Sequence, residues 1–311
     1  HYAIPTTNGY HTYFCSESNT PTWDPMIKPR FFDQEKGESL LYGWAAVSSD
    51  TQQVERYGTF YWKGTEDIEL NNLDGDDSRV IMDRVLPFVE AVAAGHPFFS
   101  TIWFHTPHLP LVTSEGYRAS YADFSHREQL LYGSVSAMDE QVGRLWQHLE
   151  ALGLAENTML WFCSDNGPEN NTPGSSEPFR ERKRSLYEGG VRVPGFVVWP
   201  AEISKPSTSN LAMSTSDYLP TILDFLGLEY PLPERPLDGI SVRTKLAQGD
   251  SLRGSAMGLL FPKKRSWVTD RYKLISNDEG ATYEIYDLLD DPGESKNLSD
   301  SLANLQQQLE Q

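Results

Sequence analysis

Three short segments carry residue types that could hold a metal, move a proton or clamp an anion. The first is Ser164-Asp165-Asn166-Gly167, which directly follows the apolar run Asn157–Cys163. Open α/β sheets bind their ligands at the carboxyl ends of strands. Asp165 and Asn166 would place one charged and one neutral oxygen donor side by side there, the ligand type that Ca2+ and Mg2+ take. The same residues also suit an Asx turn with a glycine at positive φ. The second segment is His105-Thr106-Pro107-His108-Leu109-Pro110. Its two prolines stiffen the loop and restrict where the imidazoles point. A histidine held there can donate to an anionic oxygen or protonate a leaving group. The plain alternative is a pair of surface histidines.

The third segment runs from Lys183 to Pro194, just after the start of the cluster Arg180-Glu181-Arg182-Lys183-Arg184. A lysine in a cationic loop can bind an oxyanion and stabilise charge on a leaving oxygen. Glu188 could hold Lys183 or Arg192 in place, and Gly189-Gly190 could adopt backbone conformations closed to other residues. A solvated charge run covering a sheet edge is the competing reading. Cys163 reads as a small core residue, since Asp165 nearby disfavours a thiolate. Cys15 lies in a polar loop with no evident partner.

These segments need elements to position them. Residues 1–60 read as irregular loops with short strands. Asp77-Ser78 precedes Val80, Ile81, Val85, Phe88, Val89 and Val92, the spacing of a helix of about 15 residues with a polar N-cap, stopped by Gly95. Pro97–Phe104 reads as a buried strand leading into the histidine loop, and Asn157–Cys163 as another leading into Asp165. Between them, residues 127–152 form an amphipathic helix with Leu130, Leu131, Val135, Met138, Val142, Leu145 and Leu149 on one stripe. Val193–Trp199 is strand-like, and a helix opens at Ser216 and runs to about Leu226. Helices alternating with short apolar strands predict an α/β sheet with helices on its faces. After Gly239 the character changes to short strands at 254–261, 267–276 and 283–288, with turns at Asp270-Arg271 and Asp290–Gly293 and a final helix Leu302–Leu309.

Composition narrows the partners. The 311 residues carry a formal charge of −18, which excludes a phosphate-tracking nucleic-acid binder lacking any basic face. Hydrophobic residues at 39% and aromatics at 12% support a real core. No run approaches the roughly 18 apolar residues that would span a membrane. Two cysteines cannot make a disulfide framework.

Taken in order, the segments resemble the sulfatase family of the alkaline phosphatase superfamily. Pro97-Phe98-Phe99 through Pro107-His108-Leu109-Pro110 is similar to the family's strand and substrate-histidine loop, and Tyr132–Gly143 to its long helix. Ser164-Asp165-Asn166-Gly167-Pro168 resembles its C-terminal metal motif, and Lys183–Pro194 its lysine loop. Asp217-Tyr218-Leu219-Pro220-Thr221, Tyr286-Asp287-Leu288 and Asp291-Pro292-Gly293-Glu294 resemble its late signatures.

The resemblance implies a mixed central sheet flanked by helices. Residues 1–239 would be the C-terminal portion of the catalytic α/β domain, and 240–311 a small antiparallel sheet plus helix. It implies hydrolysis of aryl or carbohydrate sulfate esters, with a formylglycine nucleophile made from a Cys or Ser in C/S-x-P-x-R. A divalent metal would serve it, Ca2+ in the first place and Mg2+ in the second. Asp165 and Asn166 would be metal ligands. His108 would contact the ester oxygen and protonate the leaving alcohol, Lys183 would bind a sulfate oxygen and the leaving oxygen, and His105 would be a second substrate contact. Export to the periplasm or medium follows by the same habit.

The sequence departs from the family at its start. Neither cysteine lies in C-x-P-x-R, and Ser204-Lys205-Pro206-Ser207-Thr208 ends in the wrong residue. The tandem aspartates of the first strand are absent, and Asp76-Asp77 reads as helix capping. Every missing part belongs to the family's N-terminal third, so the expectation is an N-terminally truncated portion. By itself it should hydrolyse no sulfate ester. Two other readings stand beside this one: a phosphate or phosphonate ester hydrolase of the same superfamily, and a non-catalytic homologue that binds sulfated glycan.

Overall fold

The structure is a computed structural model that describes residues 5–16, 27–45, 52–58, 61–63, 76–93, 95–249 and 252–301, and the backbone alone of 66–68. Its contacts group the chain into two units, residues 1–155 with 171–174, and 156–170 with 175–311. Each contains helices and strands, a mixed α/β composition ending in a four-stranded antiparallel sheet, as the sequence predicts.

The first unit contains the short strands β1 (Cys15–Ser16), β2 (Ile27–Pro29), β3 (Gly43–Ala45), β4 (Val54–Arg56), β5 (Tyr61–Lys63) and β6 (Glu66–Ile68), then α1 (Ser78–Val92), β7 (Leu111–Thr113), α2 (Glu115–Ala119) and α3 (His126–Ala151). β1, β5 and β6 pair antiparallel, as do β2 and β4. β3 and β7 pair in parallel, with Gly43 opposite Leu111. Trp44, Tyr61, Val80 and Val112 bury one cluster, and Leu111, Leu130 and Leu131 another.

α3 starts where it does because Ser125 and Glu128 close a capping box: Glu128 N donates to Ser125 Oγ and Ser125 N to Glu128 Oε2. Its buried face matches the apolar stripe read in the sequence only in part. Leu130, Leu131 and Leu149 are buried as expected, but Gly133, Ser134, Ala137 and Gln141 are buried with them, while Val135 is exposed. Side chains three and four apart share a face, and Val135 sits one step round from Ser134. The small residues win the inward face because β7 comes close: a Cβ on Gly133 would stand 3.0 Å from Thr113 Cγ2.

Pro97–Phe104 is not a buried strand. It joins no ladder among the described residues, and Phe99 and Trp103 are largely exposed. Strand identity needs a hydrogen-bonded neighbour as well as an apolar run, and only the run is visible in sequence.

The second unit contains β8 (Leu160–Cys163), α4 (Glu188–Val191), β9 (Gly195–Val198), α5 (Tyr218–Leu226), α6 (Arg243–Gln248) and the strands β10 (Met257–Phe261), β11 (Lys264–Val268), β12 (Tyr272–Ser276) and β13 (Glu284–Asp287). β8 and β9 pair antiparallel, Leu160 opposite Val198 and Cys163 opposite Gly195. This strand before Asp165 is half-buried rather than buried. The last four strands form a meander in sequence order. Its first hairpin, where Phe261 pairs with Lys264, was hidden in sequence because Lys263 (φ 65°) takes the left-handed position that glycine usually marks. The helix expected at Leu302–Leu309 lies outside the described residues. No helix of the described residues is long and apolar enough to cross a membrane.

Candidate functional site

The first unit places the two histidines on a tight turn. His108 N donates to His105 O at 2.7 Å, and the segment then enters β7. His108 is exposed, and its Nδ1 donates to the Leu109 carbonyl at 2.7 Å. A carbonyl can only accept, so that bond puts a proton on Nδ1.

His105 is held differently. Its Nδ1 lies 2.5 Å from Asp77 Oδ2 and its Nε2 3.0 Å from Ser16 Oγ, so both ring nitrogens are engaged within this unit. Burial pushes the His105 pKa down, but the hydrogen bond to Asp77 and its charge outweigh that and leave it raised.

Asp77 is the residue that sequence reasoning misread. It occupies the N-cap position of α1, yet its side chain makes no capping bond. It is fully buried and accepts from Tyr61 Oη as well as from His105. Its neighbour Asp76 accepts from Ser78 N at 2.8 Å and from Thr106 Oγ1 at 3.3 Å. Burial pushes the Asp76 carboxyl up to about 6, its hydrogen bonds to Ser78 and Thr106 opposing and the Asp77 charge adding. An acidic pair before an apolar helix pattern reads as capping; the signal of another role was a histidine 28 residues on, which spacing alone cannot connect.

The second unit places Asp165, Asn166 and Lys183. After β8, Ser164 N donates to Pro194 O and Ser164 Oγ to Asn166 O, shaping the turn. Asp165 is exposed and Asn166 half-exposed. Neither side chain has a hydrogen-bond or ion-pair partner among the described residues. The glycines act by size. Gly167 and Gly189 are absent from the positive-φ positions, but a Cβ on Gly167 would meet Gly189 O at 1.9 Å and one on Gly189 would meet Glu181 O at 2.2 Å. This close approach lets Gly167 N donate to Gly190 O and Lys183 N to Pro168 O, at 2.9 and 3.1 Å. The backbone of Lys183 is thereby tied to the residue two past Asn166.

The cationic cluster divides. Arg180 stacks on Tyr187, 4.0 Å from its centroid, and donates to Tyr286 Oη and Glu294 O. Arg182 donates to Glu169 O, and Arg184 pairs with the Glu169 carboxylate. The Arg184 hydrogen bond, with Lys183 adding to it, holds the Glu169 carboxyl below its usual range. Lys183 is the one cation of the four whose side chain has no hydrogen bond or ion pair among the described residues.

The support behind this loop was also only partly visible. Glu188 does approach Arg192, at 3.5 Å, but its closer partner is Lys273 Nζ at 2.9 Å. Lys273 is fully buried on β12 and also meets Glu294 Oε1 at 3.1 Å, while Glu294 Oε2 accepts from Glu188 N at 2.5 Å. A buried ammonium needs such partners. Burial pushes the Glu294 carboxyl up, against the pull of Lys273. The Asp291-Pro292-Gly293-Glu294 signature thus fixes α4, which closes the lysine loop.

In ligand type, Asp165 and Asn166 fit a hard divalent cation such as Ca2+ or Mg2+. Among the described residues no group of three His, Cys, Asp or Glu forms a complete metal cluster.

Residues 4–228 match the sulfatase family model, and residues 180–311 match that of the N-sulphoglucosamine sulphohydrolase C-terminal region. The chain is 32% identical over 251 residues to a sulfatase of Formosa agariphila, covering 70% of this chain and 44% of that protein. The chain therefore spans less than half the length of that relative. Among solved structures it is similar to Ps i-CgsB in complex with k-i-k-neocarrahexaose, with a TM-score of 0.70, 21% identity, and coverage of 80% of this chain and 56% of that one. It is also similar to BT4656 in complex with its substrate D-glucosamine-2-N,6-O-disulfate, with a TM-score of 0.64, 19% identity, and coverage of 86% and 74%. These structural likenesses show the alkaline-phosphatase-like fold. On the family models and the sequence identity together, the chain belongs to the sulfatase family.

Proposed function

We propose that the complete protein hydrolyses sulfate esters carried on a glycan. The observation that carries this reading is that Lys183 alone of its cationic cluster lacks an internal hydrogen bond or ion pair among the described residues. Its backbone is bound to Pro168, beside the oxygen donors Asp165 and Asn166, whose side chains also have no hydrogen bond or ion pair among the described residues. Unpaired groups of opposite character on one braced loop pair are what binding a cation and a tetrahedral anion requires. The structures matched in complex with neocarrahexaose and with glucosamine disulfate support a sulfated sugar as the substrate class.

In this reading Lys183 donates to a sulfate oxygen and neutralises charge building on the leaving oxygen. His108, with Nδ1 committed to Leu109 O, delivers a proton from Nε2 to the leaving alcohol. Asp165 and Asn166 bind a divalent cation, Ca2+ by preference. When bound, that ion draws charge from the sulfate oxygens. The formylglycine nucleophile belongs to no motif in these residues.

The complete gene product, with formylglycine verified by mass spectrometry, should release sulfate from nitrophenyl sulfate and from a sulfated oligosaccharide faster than it releases phosphate from nitrophenyl phosphate. Faster phosphate release would favour the phosphoester reading instead.

The metal assignment has a readout apart from turnover. Ca2+ added at about 100 times its Kd to chelator-stripped protein should raise stability by about 2.7 kcal/mol. Asp165→Ala should erase most of that gain. An equal Ca2+-induced rise in the variant would remove Asp165 from the ligand set.

A further inference from the structure

We propose that Asp77 is a positioning residue for His108, acting through His105. This rests on the sulfatase reading above. The N-terminus of α1 grips the histidine turn with three consecutive residues. Asp77 takes the His105 ring at 2.5 Å, Asp76 takes Thr106 Oγ1 at 3.3 Å, and Ser78 Oγ reaches Thr106 Oγ1 at 3.4 Å. His105 is fixed at both ends, its ring between Asp77 and Ser16 and its carbonyl on His108 N at 2.7 Å. A displacement of His105 is therefore passed through one backbone hydrogen bond to the residue that would carry the proton.

Two features separate this from a polar contact that merely stabilises the unit. Asp77 forgoes the capping bond that its position offers. Both of its side-chain hydrogen bonds among the described residues also fall on Oδ2, while buried Oδ1 has no partner among them. A buried carboxylate oxygen without a donor costs stability and calls for an explanation. Placing Oδ2 on the His105 imidazole, with Tyr61 Oη as its second donor, supplies it, since the carboxylate then fixes the ring's tautomer and angle.

The test uses the complete gene product, with nitrophenyl sulfate as substrate and rates normalised to formylglycine content. His108→Ala reports on the underlying reading and should abolish most turnover. Asp77→Asn keeps the size of the side chain and removes the charge. It should lower kcat about 10²-fold while leaving KM within about twofold. His105→Gln, on a partly exposed side chain, should move kcat in the same direction and serves if Asp77→Asn does not fold. A role confined to stability would lower the melting temperature and leave kcat per formylglycine unchanged. That result, in variants whose His108→Ala counterpart is inactive, overturns the proposal. Undiminished turnover in His108→Ala would instead overturn the reading beneath it, and the positioning role with it.

Discussion

Lys183→Ala in the complete protein should lower kcat/KM for a sulfate ester by about 10²–10³-fold, the usual effect of removing one donor to a developing oxyanion. Its melting temperature should stay put. Both halves of that expectation come from the same fact: the Lys183 ammonium makes no hydrogen bond or ion pair among the described residues, so deleting it removes no internal contact of that kind. Arg184→Ala is the matched control. Its guanidinium is more than half exposed and is held by Glu169, so it should change turnover by no more than about twofold and stability by no more than about 1 kcal/mol. Lys183→Arg keeps the charge but swaps a compact ammonium for a planar fork, and should recover only part of the loss. Steady-state kinetics separate the outcomes. A fall in kcat with KM nearly unchanged places Lys183 on the charge that develops in the transition state. A rise in KM alone would reduce it to holding the ground-state anion. Turnover within twofold of wild type would take it out of the chemistry.

The contrast between Lys183 and its neighbours shows what the sequence could carry. Arg180-Glu181-Arg182-Lys183-Arg184 announces a cationic loop, and the glycines that follow announce a tight one. Which cation is unpaired depends on Tyr187, Tyr286, Glu169 and Glu294, and two of those are more than 100 residues away in the chain. Periodic signals were legible. α3 was recoverable from its spacing, because that signal is local. Its inward face was legible only in part: Leu130, Leu131 and Leu149 are buried, but the closeness of β7 brings small side chains in beside them. Pro97–Phe104 failed as a strand for a related reason, since a ladder is a property of two segments. The Asp77–His105 pair and the Glu188–Lys273–Glu294 cluster failed as well: each joins charges on separate elements, and each member alone fits an ordinary local role. The residues proposed to do chemistry stood out because their types are conspicuous. The residues that hold them were missed because theirs were not.

The largest structural effect should come from Asp217→Ala, at about 3–5 kcal/mol, the cost of leaving one member of a buried ion pair without the other. Asp217 and Arg253 are almost wholly buried and form a two-point bridge, Nη1 to Oδ2 at 2.6 Å and Nη2 to Oδ1 at 2.8 Å. The carboxylate also accepts from Ser214 N, which starts the turn into α5, and from Ile240 N, both at 2.9 Å. Removing it orphans four donors, two on a charged group. Arg253→Met should cost less, because the two backbone bonds survive. The double variant Asp217→Leu with Arg253→Met relieves the stranded charge but still leaves the Ser214 and Ile240 amides without acceptors, so it should recover only part of the loss. Burial opposes ionisation of Asp217, but the Arg253 bridge and the two amides prevail and hold its carboxyl below the ordinary 3.8. A depressed carboxyl pKa stabilises above its unfolded value and gives that stability up as pH falls through the folded one. The wild type should therefore lose this contribution below about pH 4, and Asp217→Ala, already without it, should show a shallower decline over the same range. Urea unfolding of the complete protein at pH 7 and at pH 3.5 measures both effects. Equal acid sensitivity in the two proteins would mean that the Arg253 bridge does not set the ionisation of Asp217.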